Sequence, residues 1–254
     1  MTDKALVLSD MSVTHGRAEI LTDISLSLAS GQIVGITGPN GAGKSTFLSA
    51  IGKQVGYGGT VQWDGEEVHL ARVGYMPQHS SVRADMSVLE AVLLGRHEQL
   101  GWRIKDADIN AATTVLASLG MAHLSQRQMN TLSGGQQQLV LIAQRLVRKP
   151  DLLLLDESTS ALDIHHQMRV MEHLRSYVRD TGALILIAMH DLNLATRHTN
   201  GLVMLSEGRL VAHGDHENVL TMETIRKAYK IEAELLRSSE GAPIIVPLSP
   251  SVMG

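Results

Sequence analysis

A glycine-rich loop at residues 38–45 constrains the fold of this chain more than any other feature. Its sequence, GPNGAGKS, satisfies the pattern G-x-x-x-x-G-K-[ST]. A short apolar run at residues 33–36 precedes the loop, and residues 46–53 follow it with helical periodicity. This order predicts a site where backbone N–H groups and a helix amino terminus hold phosphate groups. The predicted nucleotide-binding residues of this segment are Gly38, Pro39, Asn40, Gly41, Ala42, Gly43, Lys44, Ser45 and Thr46.

Two side chains at the end of the loop have separate predicted roles. Lys44 is expected to reach the β- and γ-phosphates of a nucleotide, and the Ser45 hydroxyl is expected to ligate Mg²⁺. The alternative is a glycine-rich turn before an ordinary helix. That interpretation leaves unexplained why every fixed position of the pattern is present between a strand and a helix.

Composition restricts the class of protein. The chain has 254 residues, of which 44% are hydrophobic, so it can bury one sizeable core. Its formal net charge is −4 and it has no block of like charge, which argues against binding to nucleic acid or to an anionic membrane surface. The absence of cysteine excludes a disulfide framework and a thiolate metal site, and it fits a reducing compartment.

Targeting and metal signals are weak. The polar amino terminus predicts no cleavable signal peptide, and the longest apolar runs, such as residues 152–155 and 183–188, are too short to cross a bilayer. The 12 histidines are mostly scattered singly, and His165 and His166 are adjacent instead of four residues apart. We therefore expect surface histidines instead of a histidine metal site.

The periodicity of apolar residues predicts a layered α/β fold. Alternation at residues 5–8 and 24–28 indicates an antiparallel β start. Buried apolar runs at residues 152–155, 184–187 and 202–205, separated by helical stretches, are typical of a parallel sheet.

Two further regions have distinct patterns. Residues 87–149 change to helical periodicity and predict an inserted helical lobe. Residues 221–234 predict a helix, and the proline-containing tail at 238–254 predicts a loop with a strand at 244–246.

A second chemical signal follows the apolar run at residues 152–155. Asp156 and Glu157 are two carboxylates at a strand end, which suits a metal-assisted hydrolase. Asp156 is predicted to hold Mg²⁺ through its water shell, and Glu157 is predicted to accept a proton from the attacking water or to orient it. Many strands end in acidic turn residues, so the signal depends on its pairing with the glycine-rich loop.

A third motif, LSGGQ at residues 132–136, distinguishes most sharply between classes of nucleotide-binding protein. Its Ser-Gly-Gly opens an apolar-periodic run at residues 139–146 and offers a second phosphate-binding helix terminus. Here the sequence resembles the nucleotide-binding ATPase subunits of ABC transporters, and the resemblance covers nearly the whole chain. It implies an α/β P-loop (RecA-like) ATPase core with an antiparallel β subdomain and an inserted α-helical lobe. The residues that match the signature contacts are Ser133, Gly134, Gly135 and Gln136.

The resemblance also assigns roles to single residues. Gln78 looks like the glutamine that touches Mg²⁺ and water and senses a membrane partner, and His190 looks like the switch histidine at the γ-phosphate. Asp163 lies in a segment similar to the loop that crosses the dimer interface. Without the family resemblance, Gln78 would be interpreted as part of a proline-containing loop, and His190 as a structural histidine at a strand end.

Three positions depart from the family pattern. His15 occupies the place of an aromatic residue that stacks on adenine, so adenine preference is less secure than phosphate binding. Ser158 stands where proline usually follows the catalytic glutamate, and Leu139 stands where arginine is common. Neither of these two removes a group with a chemical role, so we expect activity without predicting its rate.

The resemblance implies partners and a location. Two copies are expected to pair head to tail, so that the glycine loop of one and residues 133–136 of the other enclose each ATP. Integral membrane permease subunits and, indirectly, a substrate-binding protein are expected partners, with no nucleic acid. The expected location is the cytoplasmic face of the bacterial inner membrane. The predicted single ATPase domain at 1–254 comprises a core with the β subdomain at 1–79 and 151–237, the helical signature lobe at 80–150 and a tail at 238–254.

Several segments indicate the kind of ABC protein. Residues 162–167, 190–195 and 241–247 are similar to importers of iron–siderophore, haem or cobalamin. Residues 87–96, with the short spacing from Trp63 to Gln78, also resemble manganese and zinc importers.

Two other classes remain as alternatives. A soluble ABC ATPase acting on DNA or ribosomes usually carries a long coiled-coil insertion or two fused cassettes, and this sequence has neither. A non-hydrolysing nucleotide-dependent interaction module is disfavoured by the presence of both Glu157 and His190.

Overall fold

A six-stranded sheet forms the centre of the computed structural model, which describes residues 4–78, 85–96, 104–156, 164–239 and 241–251, without the side chain of His165. The strand order is β10-β9-β3-β8-β7-β6; β9 and β10 are antiparallel, and all other pairs are parallel. The strands are β3 (Gln32–Thr37), β6 (Val73–Met76), β7 (Leu152–Leu155), β8 (Leu184–Ala188), β9 (Gly201–Ser206) and β10 (Arg209–Gly214). The predicted parallel α/β sheet is confirmed.

A four-stranded sheet of order β2-β1-β4-β5 precedes and flanks this core. It contains β1 (Ala5–His15), β2 (Ala18–Ala29), β4 (Gly58–Trp63) and β5 (Glu66–Glu67), and all its pairs are antiparallel. The predicted antiparallel start is confirmed, although β1 and β2 are longer than the alternation indicated. Asp10 and Asp23 adopt positive φ angles beside register shifts in this pair, which interrupt the alternation on which the prediction relied.

Eight helices of the described chain surround the sheets. They are α1 (Lys44–Ile51), α2 (Val88–Leu93), α3 (Asp106–Ser118), α4 (Gly134–Leu146), α5 (Ile164–Thr181), α6 (Leu192–His198), α7 (His216–Val219) and α8 (Met222–Tyr229). Short 3-10 turns lie at Leu70–Arg72, Leu94–Arg96, Ala122–Leu124 and Met129–Thr131. Helices α2, α3 and α4 lie in the region where the sequence predicts a helical lobe.

The two faces of the six-stranded sheet pack against different layers. Alternate residues of β7 separate accordingly: Leu153 and Leu155 face the cluster that contains α4, and Leu152 and Leu154 face the cluster that contains α1. The antiparallel sheet joins α1 on its side, whereas α2 to α8 contribute to the other side. The glycine-loop helix and the signature helix therefore lie against opposite faces of the sheet.

The carboxyl-terminal part differs from the sequence expectation. The predicted helix at residues 221–234 ends at Tyr229, because Lys230 adopts a left-handed conformation with φ 57° and ψ 39°. The chain then forms β11 (Ile231–Arg237), which pairs antiparallel with β12 (Pro243–Pro250). The predicted strand at 244–246 lies within β12, whereas the loop predicted for the rest of residues 243–250 is wrong. Prolines are compatible with such a strand when it lies at an edge, where their missing N–H groups break no ladder.

Among the described helices, none combines the length and apolar character that a membrane span requires.

Candidate functional site

The glycine-rich loop follows β3 and ends at the first residue of α1. Gly38 has φ 143°, and a Cβ atom there would lie 2.1 Å from the carbonyl oxygen of Leu205. Gly43 has φ 99°, and a Cβ atom there would lie 2.5 Å from the Leu21 side chain. Both positions thus require glycine for backbone conformation and for space. The loop is fixed against β9 on one side and β2 on the other.

The amino terminus of α1 lacks a side-chain cap. Its N-cap is Gly43, which supplies no side-chain cap, and the first turn contains no acidic residue. By contrast, Ser133 caps α4 and Asp191 caps α6 through side-chain oxygens. An uncapped helix amino terminus with a glycine-rich approach is the geometry that binds phosphate groups.

Lys44 is 5% exposed and lies along the loop. Its Nζ donates to the carbonyl oxygens of Gly38 at 2.9 Å and Pro39 at 3.0 Å. The ammonium group is thereby held at the start of the loop, where a nucleotide phosphate would compete with two carbonyl oxygens for its donors.

Ser45 and Asp156 meet across the sheet edge. The Ser45 hydroxyl donates to Oδ1 of Asp156 at 3.0 Å, and Asp156 is 2% exposed. The backbone N–H of Asp156 donates to the Met76 carbonyl at 2.9 Å, which fixes the residue at the end of β7. A hydroxyl and a carboxylate at this separation present the oxygen donors that Mg²⁺ prefers, so the residues fit that ion.

Gln78 and His190 lie at the same edge of the sheet. Both residues are exposed. Gln78 follows β6, and His190 follows β8, two strands that flank β7. Because these strands are parallel, their carboxyl ends face the same side as the end of β3 and the glycine loop. The structure thus brings the predicted residues Gln78, Asp156 and His190 to the edge that carries Lys44 and Ser45.

Ser133 and the following glycines begin α4. The Ser133 hydroxyl oxygen accepts from the Gln136 N–H at 3.3 Å, and the Gln136 side chain accepts from the Ser133 N–H at 3.1 Å. This reciprocal pairing is a capping box. Ser133 and Gly134 are exposed, and a Cβ atom at Gly134 would meet nothing within 4 Å. The predicted signature residues therefore form an ordered and open helix terminus.

His15 and Leu139, two departures from the family pattern, differ in environment. His15 is exposed at the end of β1, next to the turn into β2. Strand β2, which follows this turn, supplies Leu21, which lies against the glycine loop. Leu139 is 5% exposed and packs in the core around α4. Three predicted positions, Glu157, Ser158 and Asp163, lie outside the described residues.

Two contacts near the site were not found from the sequence. The Tyr75 hydroxyl shares a 2.8 Å hydrogen bond with Ser49 of α1, and the Tyr75 carbonyl accepts from Arg145 Nε of α4 at 2.7 Å. Burial lowers the pKa of Arg145, with a further contribution from nearby Arg148, and burial raises the pKa of Tyr75. This strand before Gln78 thus joins the glycine-loop helix to the signature helix. No sequence motif distinguishes Arg145 as a link.

Tyr229 is a further residue that the motifs did not reveal. Its hydroxyl is enclosed close to Thr37 and the backbone of Gly38, without a hydrogen bond of good geometry to described residues. Burial raises the pKa of Tyr229 to about 12, whereas Gly38 and Thr37 partly oppose that increase. The end of α8 therefore packs against the start of the glycine loop.

An uncapped helix after a glycine-rich loop, with Ser45 beside a buried aspartate at the carboxyl edge of a parallel sheet, defines a P-loop nucleotide-binding protein. Residues 21–160, more than half of the chain, match the family model described as "ABC transporter". The chain belongs to this family and is an ATP-binding cassette ATPase.

Two members of the family and one solved structure are similar to this chain over most of its length. The hemin import ATP-binding protein of Bradyrhizobium diazoefficiens is 37% identical, covering 94% of this chain and 93% of the relative. The ferric enterobactin transport ATP-binding protein of Escherichia coli K12 is 33% identical, covering 94% and 92%. An ABC transporter described as of the metal-chelate type, in an inward-facing conformation, superposes with a TM-score of 0.85 at 28% identity, covering 97% of this chain and 98% of that chain.

Proposed function

We propose that this chain is the ATP-hydrolysing subunit of a bacterial importer for iron–siderophore, haem or cobalamin. The observation that most directly supports ATP hydrolysis is the Ser45–Asp156 hydrogen bond, which joins the glycine loop to the strand end that precedes Glu157. The similarity to hemin and ferric enterobactin transport subunits over most of their length supports the substrate group. The chain would not contact the substrate, because specificity in such importers belongs to the permease and the binding protein.

The nucleotide site is built from the glycine loop and its helix. The available backbone N–H groups within residues 38–46, which exclude that of Pro39, bind the phosphates of ATP, and Lys44 replaces its loop carbonyl partners with phosphate oxygens. His15 stacks on the adenine at the edge of the same loop. Ser45, Asp156 and Gln78 hold Mg²⁺, which supplies charge neutralisation at the β- and γ-phosphates.

Hydrolysis requires a base and a γ-phosphate contact. Glu157, directly after the buried Asp156, orients or deprotonates the attacking water. His190, which follows β8 at the same edge, contacts the γ-phosphate. Asp163 belongs to the segment that crosses the interface with the partner copy, and it contributes to the nucleotide site from there.

A second copy of the chain completes each site. In the cap of α4 the Ser133 hydroxyl oxygen only accepts a hydrogen bond. The hydroxyl proton of Ser133 can therefore be donated to a phosphate oxygen at this exposed terminus. Helices α1 and α4 lie on opposite faces of the sheet within one chain. A head-to-tail pair brings residues 133–136 of one copy over the ATP held by the other. ATP-dependent closing and opening of this pair then drives the permease at the cytoplasmic face of the membrane.

The catalytic role of Glu157 is tested with Glu157→Gln. We expect the ATP hydrolysis rate to fall at least about a hundredfold, since the general base is lost, while ATP-dependent dimerisation persists in sedimentation measurements. Glu172→Gln, an exposed glutamate on α5, is the matched control and leaves hydrolysis unchanged. Hydrolysis retained in Glu157→Gln would contradict the proposed role.

The transport role is tested in the assembled complex. The chain is reconstituted in vesicles with its permease, and uptake of an iron–siderophore, haem or cobalamin is measured with and without ATP. ATP-dependent uptake of one of these chelates is the expected result. Uptake of free manganese or zinc, with none of the chelates, would contradict the proposed substrate group.

A further inference from the structure

A reciprocal pair of hydrogen bonds ties the segment after His190 to the carboxyl-terminal hairpin of β11 and β12. Asn193 Nδ2 donates to the Ile245 carbonyl at 3.1 Å, and the Ile245 N–H donates to Asn193 Oδ1 at 2.8 Å. The carboxamide therefore pairs with β12 as a neighbouring strand would. Ile245 is 4% exposed and Asn193 is half-buried, so both bonds are partly shielded from water.

Thr196 makes a second attachment on the same side of α6. Its hydroxyl lies 2.9 Å from the Asn193 carbonyl oxygen and 3.1 Å from the Pro243 carbonyl oxygen. Thr196 is 5% exposed, and residues three apart lie on one helix face. This face of α6 is thus fixed against β12 at two points.

Helix α6 also connects the switch segment to the glycine-loop strand. Asp191, directly after His190, caps the helix by accepting from the Leu194 N–H at 3.0 Å. On another side, Ala195 and Thr199 pack against Gly35 of β3. A seven-residue helix has little stability of its own, so its position depends on these tertiary contacts.

We propose that Asn193 is a positioning residue for His190 and that the carboxyl-terminal hairpin supports ATP hydrolysis through it. The inference rests on the role proposed above for His190. The Asn193–Ile245 pair holds the first turn of α6, and the first turn of α6 holds the backbone from which His190 projects. The same contact brings together residues 190–195 and 241–247, two of the segments that resemble chelate importers.

The test compares Asn193→Ala with the unchanged chain. We expect kcat for ATP hydrolysis to fall about three- to tenfold, because two neutral hydrogen bonds that hold the switch segment are lost. The Kd for ATP, measured with a fluorescent analogue, stays within about twofold, because the glycine loop is untouched. Amide exchange at Ile245 accelerates. Asn218→Ala on α7, which removes a bond to Asp215, is the matched control and changes none of these quantities.

Two further variants separate positioning from loss of structure. Asn193→Asp keeps the acceptor for the Ile245 N–H but sets a carboxylate oxygen against the Ile245 carbonyl oxygen, so its kcat falls at least as far as that of Asn193→Ala. Adding Asn193→Ala to His190→Ala lowers kcat no further, because Asn193 acts through His190. Amide exchange at Ile185 and Ile187 in β8 monitors the core.

The possible outcomes are distinct. Unchanged kcat in Asn193→Ala, with or without faster exchange at Ile245, overturns the positioning role. Faster exchange in β8 together with a weaker Kd for ATP also overturns it, because the loss of kcat is then a general loss of structure. Full hydrolysis in His190→Ala instead contradicts the proposed function itself, whatever Asn193→Ala does.

Discussion

The hydroxyl of Ser45 donates a 3.0 Å hydrogen bond to the carboxylate of Asp156, which is 111 positions further along the chain. The bond joins the start of α1 to the end of β7, so the phosphate loop and the acidic strand end form one unit. Both groups are oxygen donors suited to Mg²⁺. The proposed hydrolysis depends on this unit more than on any single residue.

Replacement of Ser45 tests the metal-binding part of this unit. Ser45→Ala removes one oxygen donor and leaves Asp156 in place, so we expect Mg²⁺-dependent hydrolysis to fall about a hundredfold. The measurement is the ATPase rate as a function of Mg²⁺ concentration. Ser49→Ala, on the same helix but bonded to Tyr75, is the matched control and retains most activity. Equal Mg²⁺ dependence in Ser45→Ala and the unchanged chain would exclude Ser45 as a ligand.

Gly38→Ala tests why the loop needs glycine at its first position. A Cβ atom there would approach the Leu205 carbonyl oxygen to 2.1 Å, whereas at Gly16, which also has a positive φ, it would meet nothing within 4 Å. We expect Gly16→Ala to lower the free energy of unfolding by about 1 kcal/mol. Gly38→Ala should lower it by about 2 kcal/mol more, because backbone atoms must move. Urea unfolding measures both, and equal losses would show that the close approach is not present in solution.

Three partly buried histidines predict that the chain loses stability in acid. Burial lowers the pKa of His173, His198 and His216 below the ordinary 6.5. Below that value the unfolded chain binds more protons than the folded chain, so the free energy of unfolding decreases as pH falls. We expect this decrease between pH 7 and pH 5 in urea unfolding.

His216→Gln isolates one of these contributions. The ring Nε2 of His216 lies 3.1 Å from the Thr199 hydroxyl, and Asp215 opposes the effect of burial on the His216 pKa. The variant should show a shallower dependence of stability on pH. His213→Gln, at an exposed position on β10, is the control for the substitution itself. A steeper or unchanged slope in His216→Gln would show that burial of His216 does not destabilise the folded chain in acid.

The placement of Ser45 and Asp156 at one edge of the sheet follows from the sequence because each part of the arrangement is local. The spacing from Gly38 to Ser45 contains the loop and the helix start, and an apolar run ending in Asp156 contains the strand end. Parallel strands then necessarily bring their carboxyl ends to one edge. The long-range bond between Ser45 and Asp156 follows from two local signals and one rule of topology.

The carboxyl-terminal region was predicted less well for physical reasons. Helix α8 stops at a left-handed Lys230, and no glycine marks that stop in the sequence. Pro243, Pro247 and Pro250 indicated a loop, although they lie in β12. The pairing of Asn193 with Ile245 joins positions 52 apart, and neither propensity nor periodicity specifies such a contact.

Mixing two inactive variants tests the central claim, that ATP is hydrolysed between the glycine loop of one copy and the signature of another. Lys44→Ala removes the phosphate contact, and Ser133→Arg blocks the open terminus of α4, so each variant alone should be inactive. A mixed dimer contains one site with both Lys44 and Ser133 intact. We predict that mixing restores hydrolysis to at most about a quarter of the original rate, since half the dimers are mixed and each has one good site. No recovery on mixing, or full activity of Ser133→Arg alone, would contradict the shared-site mechanism.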